Sequence, residues 1–235
     1  MTWTVPDAVC FRLSLQLVAR PGSILSQFPN STEWRFLMET IRGRKSLALD
    51  FNSWKEKLTS YDHIVLDLGT GDGRYARTIA AAHPDWFIIG VDACRENLRE
   101  HSQAKLPNLL FVIASAQELP GELYGLISHL AINFPWGSLL GSLLSGDPGL
   151  MCGLKSVSRP NALLKLRLNG GALAEAGKTL EAGADQIYYH LLQAGWQVKT
   201  PLTIDANTLK SFPSTWARRL AVGRDPRAMM ISGHK

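Results

Sequence analysis

The sequence has few cysteines and no long uninterrupted apolar run. Its three cysteines, Cys10, Cys94 and Cys152, are widely spaced and form no CxxC pair, so neither a disulfide framework nor a zinc site is predicted. The longest apolar stretch, residues 126–144, is interrupted by polar residues, a proline and several glycines. Such a stretch is not a membrane-spanning helix. We therefore expect a cytoplasmic protein that holds no metal and does not contact a membrane.

Basic residues exceed acidic ones and concentrate in two places. The 235-residue chain carries a formal net charge of +5 and has a sequence pI near 9.2. One group lies near the start of the chain and one near its end: Arg42, Arg44 and Lys45, and Arg218, Arg219 and Arg224. Either group alone could be a solvated surface. Two groups flanking one domain favour a polyanionic partner, and both are candidate RNA-binding residues.

The most informative segment is IVLDLGTGDG, residues 64–73. Its apolar start predicts a buried strand, and its glycines at positions 69, 71 and 73 permit positive φ and a close ligand approach before a helix. A second apolar strand, residues 87–91, leads to Asp92, where a carboxylate can accept hydrogen bonds from both hydroxyls of a ribose. The pattern predicts a nucleotide-like cofactor at the ends of these two strands.

The acidic character of the glycine loop selects between cofactors that share this loop. Asp67 and Asp72 flank Thr70 and Gly71, and the loop has no positive charge. Two carboxylates would repel a pyrophosphate and attract the sulfonium and α-amino groups of S-adenosylmethionine. We therefore predict a methyltransferase with Asp67, Gly69, Thr70, Gly71 and Asp92 among its cofactor-binding residues.

Strand and helix patterns alternate regularly after residue 63. They predict an α/β fold of the Rossmann-like class I S-adenosylmethionine-dependent methyltransferase type, with a mostly parallel sheet and helices on both faces. Residues 38–235 are expected to form this domain, opening with a hairpin at about 38–51, while residues 1–37 form an appendage of uncertain role. Within the domain we predict a helix at 95–105, a loop or helix end at 145–153 and a strand at 197–204.

The third and fourth strands are followed by further candidate residues, because ligands of an open parallel sheet bind at its carboxyl edge. Ser115, Ala116 and Gln117 follow the third strand and could contact the adenine edge of the cofactor, although Gln117 could instead cap a local turn. Trp136 follows the fourth strand, and Trp216 lies among polar and basic residues. The two indoles could sandwich a flipped base, and packing in the core is the alternative.

Several motifs together resemble one family, the aminoglycoside-resistance 16S rRNA methyltransferases that modify N1 of an adenine in the decoding A site. The resemblance runs from about Met38 to Lys235 and rests on these segments: DLGTGDGR at 67–74, GVD at 90–92, ENL at 96–98, FVIASAQELP at 111–120, FPWGSLL at 134–140 and STWARRLAVGR at 214–224. It is more specific than the glycine loop alone. It implies the 30S ribosomal subunit as substrate, and we expect a monomer.

The resemblance also implies roles for individual residues. Contacts to S-adenosylmethionine are implied for Asp67, Gly69, Asp92 and the segment 115–117. Trp136 and Trp216 would hold the flipped adenine as the catalytic pair. Ser214 would order that loop beside the cofactor, and Arg224 would support RNA docking. The sequence departs from the family at Gln117, where a glutamate is expected.

The chemistry of N1 methylation fits these residues, although three other functions remain open. Adenine N1 has a free lone pair at neutral pH, so it needs positioning rather than a general base. The segment from Asn133 to Trp136 partly matches the Asn-Pro-Pro-aromatic motif of enzymes that methylate exocyclic amines, with phenylalanine at its second position. The chain could also be a non-catalytic RNA-binding relative or a small-molecule methyltransferase.

Overall fold

One ten-stranded sheet runs through the part of the chain described by the computed structural model, residues 37–215, 217 and 227–235. Its strands are β1 (Leu37–Arg42), β2 (Lys45–Asp50), β3 (His63–Leu68), β4 (Trp86–Asp92), β5 (Leu109–Ile113), β6 (Ile127–Asn133), β7 (Ser158–Asn169), β8 (Gln197–Val198), β9 (Leu202–Ile204) and β10 (Ala228–His234). Their spatial order is β2-β1-β5-β4-β3-β6-β7-β10-β8, and β9 pairs with β10.

The centre of the sheet is parallel and its edges are antiparallel. Strands β5, β4, β3, β6 and β7 pair in parallel. The hairpin of β1 and β2 pairs antiparallel with β5 through Thr40 and Val112, and β10 runs antiparallel to β7. This arrangement confirms the predicted fold class, and it brings the carboxyl ends of β3 to β6 to one edge.

Helices cover both faces of the sheet, because successive side chains of the central strands point to opposite faces and both sets are apolar. The helices are α1 (Phe51–Leu58), α2 (Arg74–Ala82), α3 (Arg95–Leu98), α4 (Gly137–Ser145), α5 (Pro148–Val157), α6 (Gly170–Glu175), α7 (Leu180–Gln193) and α8 (Ala206–Ser211). On one face Val65 and Ile88 pack with Ala76 and Ala80 of α2. The larger cluster on the other face contains residues of α4, α5 and α7.

Three predicted elements have different limits in the structure. The predicted helix at 95–105 is the single turn α3 followed by a 3-10 turn, His101–Gln103, where the Ser102 hydroxyl accepts the Gly43 N–H of the hairpin. The segment 145–153, predicted as a loop or helix end, contains the end of α4 at Ser145 but is otherwise mostly helical, since α5 begins at Pro148 and Asp147 accepts the Leu150 N–H at its amino end. An aspartate before a proline is a start signal for a helix.

The predicted strand at 197–204 is divided into β8 and β9. Pro201 lies between them and has no N–H to donate to the neighbouring strand. Both short strands still pair with β10. The predicted hairpin at 38–51 is present, with Arg42 opposite Lys45 at its turn.

The absence of a disulfide framework stays a prediction, because Cys10 lies outside the residues described. Cys94 is exposed and unbridged. None of the helices described is long and apolar enough to cross a membrane. Within the same residues no group of three His, Cys, Asp or Glu side chains is placed to hold a metal ion.

Candidate active site

A cleft of about 520 Å³ opens at the carboxyl edge of the parallel strands. It brings together every predicted cofactor-site residue and the first of the two tryptophans: Asp67, Gly69, Thr70, Gly71, Asp92, Ser115, Ala116, Gln117, Trp136 and Ser214. Three aspartates line it, Asp67, Asp72 and Asp92, and the described lining contains no lysine, arginine or histidine. The cleft is therefore suited to a ligand with positive charge.

The glycine loop after β3 has the conformation that its sequence predicts. Gly69, Gly71 and Gly73 have φ values of 70°, 58° and 79°, a region that other residues rarely adopt. A Cβ at Gly69 would lie 2.5 Å from Leu139, and one at Gly73 would lie 2.6 Å from Phe111. A Cβ at Gly71 would meet no described protein atom within 4 Å. Gly71 therefore faces space that a ligand can occupy.

Asp67 is a buried carboxylate at the floor of the cleft. It is 1% exposed and accepts hydrogen bonds from the Thr70 hydroxyl and from Asn133 Nδ2, the latter at 3.1 Å. Burial raises its pKa from 3.8 to about 6, and the two hydrogen bonds oppose this rise. Asp92 raises the pKa further, whereas Arg167 lowers it. The carboxylate is ionised above about pH 6 and can then attract a cation.

Asp92 connects the ends of β3 and β4. Its Oδ2 accepts the Gly71 N–H at 2.9 Å, and its Oδ1 accepts the Cys94 N–H at 2.8 Å. A carboxylate has about four acceptor positions, so both oxygens can accept further hydrogen bonds. The aspartate therefore orders the glycine loop and can also accept hydrogen bonds from ribose hydroxyls.

The side chain of Gln117 is engaged inside the protein. Its Oε1 accepts a hydrogen bond from Ser115 Oγ at 2.5 Å, and its Nε2 donates to Ser142 Oγ at 2.7 Å. These bonds hold the carboxamide against α4. The structure thus favours capping of the local turn, rather than contact with adenine, as the role of the Gln117 side chain. The segment 115–117 still lines the cleft as predicted.

The turn after β6 presents Trp136 at the cleft. Phe134 has a φ of 54° although it is not glycine, and Gly137 has a φ of 55°. A phenylalanine with positive φ costs about 1 kcal/mol or more and is found where the surroundings enforce it. Here the Phe134 side chain is buried, and its N–H donates to Arg167 O at 2.8 Å. Trp136 lines the cleft and is 40% exposed, whereas the core tryptophan Trp196 is 1% exposed.

The segment after α8 is attached to the glycine loop. Thr215 Oγ1 donates to Asp72 Oδ2 at 2.5 Å, and the Ser214 hydroxyl accepts the Ala217 N–H at 3.0 Å. The rings of Phe212 and Tyr75 stack with centroids 5.1 Å apart. Thr215, Tyr75 and Phe212 were not predicted as site residues. Thr215 lies in the family motif at 214–224, whereas no local motif marks Tyr75 or Phe212. Trp216, Arg218, Arg219 and Arg224 lie outside the residues described.

The first basic group lies on the turn of the hairpin and does not line the cleft. Arg42, Arg44 and Lys45 are all exposed. Because β1 runs antiparallel to β5, its carboxyl end with Arg42 points away from the edge that carries the cleft. Arg95 Nη2 donates to Arg44 O at 3.1 Å, which supports the turn. The RNA-binding role of these three residues stays a prediction.

The sheet order, the glycine loop and the acidic strand ends define a Rossmann-like methyltransferase. Comparison with known proteins identifies the family to which it belongs. The profile of the family described as "NpmA: 16S rRNA (adenine(1408)-N(1))-methyltransferase" matches residues 39–235. A 16S rRNA (adenine(1408)-N(1))-methyltransferase of Streptoalloteichus hindustanus is 32% identical over 204 residues, which cover 80% of this chain and 94% of that protein. The chain belongs to the 16S rRNA (adenine(1408)-N(1))-methyltransferase family.

Solved structures of 16S rRNA methyltransferases have a fold similar to that of this chain. The 16S rRNA methyltransferase KamB superposes with a TM-score of 0.76 at 28% identity, covering 84% of this chain and 99% of that one. A tryptophan-to-alanine mutant of the 16S rRNA (adenine(1408)-N(1))-methyltransferase from Catenulisporales acidiphilia, solved with the cosubstrate SAM, gives a TM-score of 0.74 at 26% identity. That match covers 84% of this chain and 96% of that one.

Proposed function

We propose that this chain methylates N1 of the decoding-site adenine of 16S rRNA in the 30S subunit, with S-adenosylmethionine as methyl donor. The observation that carries the proposal is the acidic cleft of about 520 Å³ with a partly exposed tryptophan, Trp136, in its lining. Family membership supports the substrate and the target atom. In a bacterial cell the modification would confer aminoglycoside resistance, and we expect a cytoplasmic monomer to carry it out.

The residues of the cleft fit the proposed cofactor. The carboxylates of Asp67 and Asp92 line the cleft and would hold an ammonium group and two hydroxyls, and the bare Cα of Gly71 leaves room beside them. When bound, S-adenosylmethionine supplies an electrophilic methyl group. We assign Asp67, Gly69, Thr70, Gly71, Asp92 and the segment 115–117 to its binding, with Ser214 ordering the neighbouring loop.

The protein supplies position rather than acid or base. The described lining of the cleft has no histidine or lysine, and adenine N1 needs no base because its lone pair is free at neutral pH. Trp136 would stack on the adenine after it leaves the RNA helix, a contact worth about 1–3 kcal/mol. We assign Trp216 to the opposite side of the base.

The turn that begins at Asn133 differs from the motif of enzymes that methylate an exocyclic amine. That reaction requires the asparagine oxygen as an acceptor for the amine. Here Asn133 Oδ1 accepts a hydrogen bond from Arg167 Nη1 at 2.7 Å, which uses one of the two lone pairs of that oxygen, and Asn133 Nδ2 donates to Asp67. The residue after it is a phenylalanine in a left-handed conformation rather than proline. The match to that motif is therefore incomplete at its second position, and the target atom rests on family membership.

Reverse transcription of 16S rRNA tests the proposal directly. The 30S subunits are treated with the protein and S-adenosylmethionine, and the RNA is then copied. A methyl group on N1 blocks base pairing, so we expect a strong stop at one decoding-site nucleotide. Methylation of the exocyclic amine leaves base pairing possible and gives no stop, and a non-catalytic RNA-binding protein gives no methyl incorporation. Either result would overturn the proposal.

Trp136→Ala is the informative variant in the same assay. Because the side chain is 40% exposed, its loss should barely change the melting temperature or the affinity for S-adenosylmethionine. Methylation should become about fivefold to 160-fold slower, since this is the factor to which a lost stacking contact of about 1–3 kcal/mol corresponds. Trp136→Phe should recover part of the rate because it retains a smaller stacking face. Full activity of Trp136→Ala would show that Trp136 does not stack on the adenine.

A small-molecule methyltransferase would show little dependence of substrate affinity on salt. If the basic residues Arg42, Arg44, Lys45, Arg218, Arg219 and Arg224 contact RNA, the affinity for 30S subunits should fall steeply as the salt concentration rises. Replacing one of the exposed hairpin residues, Arg44→Gln, should reduce the slope of log affinity against log salt by about one. An unchanged slope would exclude that residue from the RNA contact.

A further inference from the structure

Arg167 is half-buried beside the cleft and is not among the predicted site residues. It lies on β7 opposite Asn133 of β6. Its Nη1 donates to Asn133 Oδ1 at 2.7 Å, and Asn133 Nδ2 donates to Asp67 Oδ1 at 3.1 Å. A continuous hydrogen-bonded chain therefore joins this guanidinium to the carboxylate at the cleft floor.

The same guanidinium also contacts the segment that follows α8. Its central carbon lies 4.5 Å from the centroid of the Phe212 ring, a cation–π distance. Phe212 stacks on Tyr75 and meets the edge of Phe134 at 5.7 Å. Two residues beyond Phe212, Ser214 and then Thr215 line the cleft. Arg167 thus touches both the group that supports Asp67 and the aromatic anchor of the segment 212–215.

The hydrogen-bonding chemistry of Arg167 fixes the orientation of Asn133. A guanidinium only donates hydrogen bonds, so the asparagine must present its oxygen to Arg167 and its nitrogen to Asp67. The backbone of Arg167 adds a second constraint, because its carbonyl accepts the N–H of Phe134 at the start of the turn that leads to Trp136. The residue therefore acts on three parts of the site at once.

We propose that Arg167 is a positioning residue that couples the cofactor carboxylate of Asp67 to the segment 212–215 and fixes the orientation of Asn133. This inference rests on the proposed function for the identity of the cofactor and the substrate. It assigns no contact with either ligand to Arg167, since the residue acts through Asn133 and Phe212.

Electrostatics adds a measurable consequence. The charged and titratable groups that face Asp67 are Asp92, Arg167 and Tyr75, with Asp72 on the same loop. Of these, the positive charge of Arg167 lowers the pKa of Asp67. Removing that charge should raise the pKa of Asp67 above its value of about 6. Cofactor binding would then need a higher pH.

The test compares Arg167→Met with Arg167→Lys. Calorimetry with S-adenosylmethionine between about pH 5 and 8 gives the midpoint at which affinity is lost. We expect Arg167→Met to raise this midpoint by about half a pH unit or more, and Arg167→Lys to keep it close to the parent value because the charge remains. Lys165→Met is the matched control, since Lys165 is exposed on the same strand and face; its midpoint should not move.

Phe212→Leu separates the contact of Arg167 with Phe212 from its hydrogen bond to Asn133. It keeps the hydrogen bond between Arg167 and Asn133 but removes the ring from the guanidinium and from Tyr75. We expect an unchanged pH midpoint for the cofactor and a KM for 30S subunits raised about threefold to tenfold, as loss of a stacking and cation–π contact implies. Arg167→Met should show both changes.

The outcomes distinguish positioning from simple packing. If Arg167→Met lowers the melting temperature but leaves the pH midpoint and the KM unchanged, the coupling proposal is wrong. If Arg167→Met does not fold, a midpoint shifted in Arg167→Lys or in Phe212→Leu would equally overturn it. The calorimetric readout needs no RNA, so failure of the parent protein to methylate 30S subunits would refute the proposed function while the role of Arg167 is still decided.

Discussion

The buried Asp67 carboxylate lowers protein stability when it is ionised, although cofactor binding needs the ionised form. Its pKa is raised from 3.8 to about 6, so the folded protein holds this proton more tightly than the unfolded chain. Stability from this group is fully present below about pH 4 and is lost as the pH rises to about 6. A difference of this size corresponds to about 3 kcal/mol, which the ionised carboxylate costs the protein at neutral pH.

We therefore predict that Asp67→Asn stabilises the cofactor-free protein at pH 7 and flattens the decline in stability between about pH 4 and 6. Thermal unfolding across this range measures the effect. Calorimetry should show that the same variant has lost most of its affinity for S-adenosylmethionine, since an amide does not attract a cation. A variant less stable than the parent at pH 7 would contradict the assignment of a destabilising buried charge.

Two glycines of one loop allow a matched test of function against packing. Gly71→Ala places its Cβ in open space and Gly73→Ala places it against Phe111 at 2.6 Å, while both positions have positive φ. We expect Gly71→Ala to cost about 1 kcal/mol of stability and to weaken cofactor binding strongly. Gly73→Ala should cost about 1–3 kcal/mol more because the ring must move. Melting temperatures and calorimetric affinities for S-adenosylmethionine should be measured for both variants. Equal losses of affinity and of stability would argue against a ligand-facing role for Gly71 and a packing role for Gly73.

At the scale of elements, the end of the sheet away from the cleft contains an aromatic cluster that we expect to respond to acid. His129 of β6 stacks on Trp86 of β4 at 5.2 Å and meets the ring of His63 at 4.9 Å. Partial burial, with contributions from His63, Lys165 and Arg159, lowers the pKa of His129 from 6.5 to about 4. Folding thus favours the neutral ring, and stability is lost as the pH falls from about 6.5 towards 4.

His129→Gln should remove this acid-dependent loss. The side chain stays polar beside the Ser128 hydroxyl, which lies 2.9 Å from the ring nitrogen of His129, but it cannot be protonated. We expect the melting temperature to fall less between about pH 6.5 and 4 than in the parent protein. Methylation at neutral pH serves as the control and should be unchanged, because His129 does not line the cleft. A parallel acid decline in both proteins would place the sensitive group elsewhere.

The sequence predicted those elements whose signal is local. The apolar run ending at Leu68, the three glycines and the acidic strand ends fix the parallel sheet and most of the cofactor cleft, because strand ends of such a sheet always meet at one edge. Contacts between distant segments have no such signal. The bond from Thr215 to Asp72 and the stack of Phe212 on Tyr75 join segments more than a hundred residues apart, so they follow only from the fold.

The start of α5 was not predicted because the glycine content of its sequence is typical of a loop. Glycines at 149 and 153 suggested a loop or helix end, yet they lie inside α5. At Gly149 a Cβ would lie 3.1 Å from the Gln117 carbonyl oxygen, so the glycine serves close packing against the segment 115–117. The helix itself is specified by Asp147 and Pro148 at its start. Close approach of backbones cannot be read from a sequence without knowing which segments meet.

At the scale of the whole molecule, the family match begins at residue 39, one residue after the start that the sequence resemblance predicted. Residues 1–36 lie outside the part described, and a role for the appendage 1–37 is untested. The hairpin that follows belongs firmly to the domain, because Met38 and Ile41 of β1 are 2% and 4% exposed. The boundary of the catalytic unit should therefore fall between the appendage and β1.

Two truncations test this boundary. Deleting residues 1–36 leaves every strand of the described sheet intact, so we expect the shortened protein to keep its melting temperature, its affinity for S-adenosylmethionine and its rate of 30S methylation. Deleting residues 1–42 also removes β1, which exposes the apolar surface that Met38 and Ile41 cover and leaves β2 without the strand with which it pairs. Loss of two such side chains costs about 4–10 kcal/mol, which is comparable to the whole stability of a domain, so this protein should not fold. A folded, soluble first truncation with greatly reduced methylation would show instead that the appendage takes part in recognition of the subunit.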